Sequence, residues 1–142
     1  MVGPEYVGQL YAGIPGGVLL AVGTPVPFRG DAGIGYITAG GKVVVPGIPG
    51  GSVAQVELRV WKSSLGASYE SALAAGGGNS VCSSFPISLV LGGGGTPPAP
   101  DATLSGLQGF SMNKCFPEPA VPVLGGLGVL VLACLTPRPA RA

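Results

Sequence analysis

Residues 52–61 read SVAQVELRVW. Within them Ala54, Val56, Leu58 and Val60 alternate with Gln55, Glu57 and Arg59, and a period of two places the first set on a core face and the second in water. This is the clearest strand of the chain. Two further stretches have strand character: Lys42 to Pro46, entered by Gly-Gly and left by Pro-Gly, and FPISLVL, which puts Phe85, Ile87, Leu89 and Leu91 on one face. Pro86 suits an edge or the first position of a strand, because it has no N–H to give to a ladder. Tyr6 to Ala12 also reads as a strand already under way at the start of the chain.

Between the strands, SYESALAAGGG carries helix signals: Ser68 as N-cap, helix formers through Ala75, and Gly76 as the stop, for about two turns. The pentapeptide GIPGG occurs at 13–17 and again at 47–51 with unlike flanks, which indicates two similar turns and not a duplicated module. Short strands punctuated by turns predict a mainly β fold, a small Ig-like β-sandwich over residues 1–91, with its N-terminal neighbours missing from the start of the chain.

Composition agrees. The chain has 142 residues, enough for one domain with appendages. It holds 27 glycines and 15 prolines, a level that marks loops, yet 46% of residues are hydrophobic and only 9% charged, so a sheet core can be built between the turns. A formal net charge of +1 with scattered Lys and Arg offers no footprint for nucleic acid.

After Leu91 the pattern becomes GGGGTPPAPDA, so residues 92–103 read as a Gly/Pro-rich linker. Residues 104–116 supply one more candidate strand, LSGLQGFSM, and a spacer. The end of the chain, CFPEPAVPVLGGLGVLVLACLTPRPARA, has no charge from Ala120 to Leu135. Sixteen helical residues span roughly 24 Å against a hydrocarbon core of about 30 Å, a short membrane helix. Arg138 and Arg141 behind it would keep the C-terminus cytoplasmic and the domain outside. The alternative is a buried apolar helix of a soluble fold.

Pro117, Glu118 and Pro119, an apolar span at 120–135 and an Arg-containing end resemble, in that order, the PEP-CTERM sorting signal of exported bacterial proteins. YVGQLYAG, VGTPVPFRG, GYITAGGKVVVPG and GLQGFSM are similar to stretches of secreted PEP-CTERM proteins as well. The resemblance implies an exosortase-type processing enzyme as partner, membrane attachment through 120–135, then residence at the cell surface or outside, with a link to extracellular polysaccharide. The chain departs from the pattern in its diluted basic end, TPRPARA, and in a start that lacks a signal peptide, which points to a truncated start or a decayed copy.

Cys82 and Cys115 are candidates for a disulfide in an oxidising compartment, and three unpaired thiols are the alternative; Cys134 falls inside the apolar span. The cysteine spacing fits no zinc site, and the chain has no histidine, which removes Ser-His-Asp, Cys-His and His-zinc chemistry. GYITAGGK fails the phosphate-loop pattern. Glu57 with Glu70 is the candidate carboxylate pair for glycoside hydrolysis, set against ordinary surface charges. Tyr36, Trp61 and Tyr69 would make a sugar-stacking platform if they shared a face, and would fill the core otherwise. Two functions are therefore expected in competition: a non-enzymatic exported protein without cofactor, or a carbohydrate-binding module using aromatics on a sheet face.

Overall fold

The computed structural model describes residues 3–37, 41–108 and 112. They form a mainly β domain built on five antiparallel strands: β1 (Tyr6–Gly13), β2 (Leu20–Pro27), β3 (Val53–Lys62), β4 (Val81–Ser83) and β5 (Ile87–Val90). The order is β2-β1-β3-β4, and β5 also pairs with β3, further along the edge that β4 occupies. A short helix, α1 (Tyr69–Ala74), lies between β3 and β4.

β3 is the spine. It pairs with β1 without interruption from Tyr6 opposite Lys62 to Gly13 opposite Gln55. On its other side Val60 faces Cys82 and Val56 faces Ile87. Between these pairings the edge strand breaks at Ser84 to Pro86, where the Ser84 hydroxyl accepts from Leu58 N–H at 2.9 Å. Pro86 thus stands immediately before β5 at a sheet edge, where its missing N–H costs no ladder bond. Phe85, expected on the apolar face, falls within that break and is 85% exposed.

The alternation read from residues 52–61 is present. Ala54, Val56 and Val60 are buried and Leu58 is half-buried. Ala54 and Val56 join Ala12 and Val22 in one core cluster, against which Val43, Val45 and Ile48 pack. The opposite face is not left to water. Trp61 has no exposure and packs with Ala72 of α1 and Val81, and the side chains of Glu57 and Arg59 are only 12% and 22% exposed. The expected solvent-facing row is therefore corrected: the helix closes over it. A sandwich needs a second sheet; among the described residues the two faces are covered by the 43–48 loop and by α1.

The Lys42 to Pro46 segment is not a strand. Val43 and Val45 pack against the core from a loop while Val44 points to solvent, and a Cβ added to Gly23 on β2 would meet Val43 Cγ2 at 3.2 Å. The helix follows its sequence signals closely: Ser68 caps it, with a reciprocal Ser68–Ser71 capping box. In the β1–β2 connection the Ile14–Gly17 turn has Gly16 at φ 75° and a Gly17 N–H to Ile14 O bond of 2.9 Å, the type II pattern with Pro15 at its first corner.

Within residues 92–103, expected as a Gly/Pro-rich linker, the backbone of 92–99 turns back on itself. Gly93 and Ala99 exchange backbone contacts, with Gly93 N–H to Ala99 O at 2.9 Å, and Lys42 Nζ meets Asp101 Oδ1 at 2.7 Å. The backbone of Gly92–Gly94 lies against Gly50, where an added Cβ would sit 2.6 Å from Gly92 O and 2.7 Å from Gly94 N. The glycine run and the second GIPGG turn are thus packed backbone to backbone. No helix of the described residues is long and apolar enough to cross a membrane; the apolar span 120–135 and the last candidate strand beyond Gln108, apart from Met112, lie outside the described residues.

Candidate functional site

Tyr11 and Glu57 are direct partners across β1 and β3, and Arg59 lies two positions along on the same face. Glu70, in the first turn of α1, reaches down to them. Tyr11 Oη donates to Glu70 Oε2 at 3.0 Å, Arg59 Nη1 donates to Glu70 Oε1 at 3.3 Å, and Arg59 Nε donates to Glu57 Oε1. The guanidinium also lies 4.0 Å from the Tyr11 ring centroid and 5.1 Å from that of Tyr69, within cation–π range of both. The two tyrosine rings meet edge to face at 6.3 Å. An open groove beside this cluster is lined by Tyr11, Arg59 and Glu70 together with Gly17, Val18 and Leu20.

The electrostatics follow from these contacts. Burial, reinforced by the hydrogen bond and charge of Glu70, pushes the Tyr11 hydroxyl up to about 12, against the opposing pull of Arg59. Burial likewise raises Tyr69. For Glu70 burial acts upward, but hydrogen bonds from its own backbone N–H, Tyr11 and Ser68 and the Arg59 charge outweigh it, so the carboxyl falls below its ordinary value. A glycosidase acid needs the opposite shift. Glu57 and Glu70 are brought together as the sequence pairing anticipated, but both are tied to one arginine.

The three aromatics proposed as a platform do not share an exposed face. Trp61 is a core residue whose Nε1–H donates to Gly66 O at 3.0 Å, and its ring meets Tyr69 edge-on at 78°, so the two are not coplanar. This corrects its assignment as a ligand aromatic: the helix buries it. Tyr69 is half-buried beneath Arg59. Tyr36 is 73% exposed in the loop closed by the Phe28–Ile37 bridge. Tyr11 and Arg59 were not anticipated. Tyr11 sits in an apolar-looking strand, and only the β1–β3 register sets it opposite Glu57.

Cys82 on β4 is 2% exposed and disulfide-bonded. Its candidate partner Cys115 lies outside the described residues, as do Pro117, Glu118, Pro119, Arg138 and Arg141. Among the described residues no three His, Cys, Asp or Glu side chains are grouped to hold a metal ion. The fold and cluster define a small antiparallel β domain with a helix latched onto one face by an arginine–carboxylate–tyrosine network. No protein-family model matches the chain, and neither a curated protein nor a solved structure is found similar to it.

Proposed function

We propose that this chain is a non-enzymatic, exported or surface-associated protein, sorted by a PEP-CTERM-like signal at Pro117, Glu118 and Pro119 and held in the membrane by a single helix over 120–135. Arg138 and Arg141 orient it, an exosortase-type enzyme processes it, and the β domain is the part displayed, in association with extracellular polysaccharide. The observation that carries this reading is the disulfide at Cys82, because disulfides persist in oxidising compartments and are rare in the cytosol. The cluster around Arg59 supports the non-enzymatic half. Its charges satisfy one another, and the carboxylate facing the groove is held ionised and not poised as an acid. The carbohydrate-module alternative loses its main support with the burial of Trp61.

The three parts of the tail have separable tasks. The apolar span anchors, the arginines orient, and the two prolines keep Glu118 out of a helix, leaving an extended stretch for a membrane-embedded enzyme to grip. The test expresses the chain behind a working signal peptide, with and without an exosortase. Glu118→Ala should stay in the membrane fraction uncleaved. Leu130→Arg, with a charge costing roughly 2.5–3.5 kcal/mol at a helix centre, should be released unprocessed. Normal cleavage of Glu118→Ala, or an unchanged membrane fraction for Leu130→Arg, would overturn the assignment.

A further inference from the structure

We propose that residues 18–22, at the free edge of the sheet, pair antiparallel with the same residues of a second copy of this chain, about a two-fold axis at Leu20. The inference stands apart from the sorting reading above, since it uses the folded domain alone.

β2 lies at one end of the order β2-β1-β3-β4, and among the described residues no strand or bridge adjoins the outer side of residues 18–22. An open strand edge is a template for pairing, and folded domains commonly protect it with short strands, proline, bulges or charge. The rest of this sheet is protected in that way. On the opposite edge, β4 and β5 are three and four residues long and are separated by the break at Ser84 to Pro86. The far half of β2 has an irregular register opposite Gly8 to Leu10, carries Pro25 and Pro27, and has Gly23 at φ 69° with its carbonyl taken by Gln9 Nε2 at 2.8 Å. Beyond it the Phe28–Ile37 bridge closes the next loop. Residues 18–22 have none of these devices. They read VLLAV, and Val18 and Leu20 are 81% and 66% exposed. A short apolar window without charge or proline on an open edge is a site of strand pairing.

Charge points to a second copy as the occupant. No residue from Tyr6 to Phe28 is charged, and the formal net charge of the chain is only +1, so two identical edges meet with no like charges opposed. Pairing of a strand with itself is also isologous: each edge supplies the same donors, acceptors and twist that it receives.

The flanks restrict the register. With the Ile14–Gly17 turn on one side and the irregularity at Gly23 on the other, the open residues centre on Leu20. Leu20 is opposite Ala12 and so stands on the face of the Ala12, Val22, Ala54 and Val56 cluster. The partner's Leu20 covers it there, and the two cores run together across the axis. One strand pair makes a small interface, so the dimer is a weak one.

Sedimentation velocity on the full chain in mild detergent, up to high micromolar concentration, reads the association. Wild type should pass from monomer to dimer as concentration rises. Leu20→Lys and Leu20→Glu should each stay monomeric, with Trp61 emission unchanged as the check on folding, because like charges then face each other across the axis. An equimolar mixture of the two variants should dimerise again, roughly tenfold more tightly than either alone. Phe85→Lys, at the opposite edge, should dimerise as wild type does. A monomeric wild type would mean that another segment of the chain or a different partner covers this edge, and would overturn the proposal. A dimer that persists in Leu20→Lys, a dimer lost equally in Phe85→Lys, or a mixture no tighter than the single variants would overturn it too.

Discussion

The Arg59 guanidinium lies 4.0 Å from the ring centroid of Tyr11 while it bonds the carboxylates of Glu57 and Glu70, so one cation ties β1, β3 and α1 together. Arg59 and Glu57 are mostly covered, and a covered charge that loses its partner is costly, whereas the more exposed Glu70 arm is worth little. Arg59→Ala is expected to destabilise the domain by about 1–3 kcal/mol. Arg59→Lys should recover less than half of that, because an ammonium lacks the planar fork that serves two carboxylates and two rings. Urea midpoints of the two variants measure both; an Arg59→Lys variant as stable as wild type would show that charge alone suffices.

Tyr11 should be a late-titrating tyrosine. Its hydroxyl is raised from 10.0 to about 12 in the fold, so its contribution to stability is fully present below pH 10 and is lost as pH rises from there through about 12. Absorbance of tyrosinate against pH should therefore show a lagging step that Tyr11→Phe removes. The same variant loses the bond to Glu70, at a cost of about 0.5–1.5 kcal/mol near neutral pH.

The glycines at the packed turns should differ sharply in tolerance. At Gly50 a methyl group would meet backbone of Gly92 and Gly94, which cannot swing aside, and Gly50→Ala should cost about 1–3 kcal/mol or more through overpacking. At Gly16 nothing lies within 4 Å, and only its φ of 75° opposes a side chain. Gly16→Ala should then cost about 1–2 kcal/mol. Thermal unfolding of the pair separates the two mechanisms.

Trp61 should report the closure of α1. Its indole has no exposure and one hydrogen bond, to Gly66. Fluorescence of the native chain is expected to be blue-shifted and poorly quenched by iodide. Ser68→Ala removes the capping box, costs about 0.5–2 kcal/mol, and should raise iodide quenching before global unfolding begins. Unchanged quenching in that variant would mean that the helix is held by packing on Trp61 and Ala72 alone.

Features governed by near neighbours were legible in the sequence. The alternation of Ala54, Val56 and Val60 needs only the pleat of a strand, the Ser68 cap needs only residues three positions on, and the placement of Pro86 before β5 follows from its own missing donor. The fates of Glu57, Arg59, Trp61 and Gly50 were decided elsewhere. Glu57 and Arg59 read as solvated because their own strand alternates, yet Tyr11 from β1 and Glu70 from α1 close over them. Trp61 continues the same row and is buried by Ala72. The glycine run after Leu91 has the composition of a flexible linker, and only contact with the Gly50 turn folds it back. Local sequence sets which face each side chain takes; what then covers that face depends on segments distant in the chain, whose meeting is set by register and packing of the whole sheet.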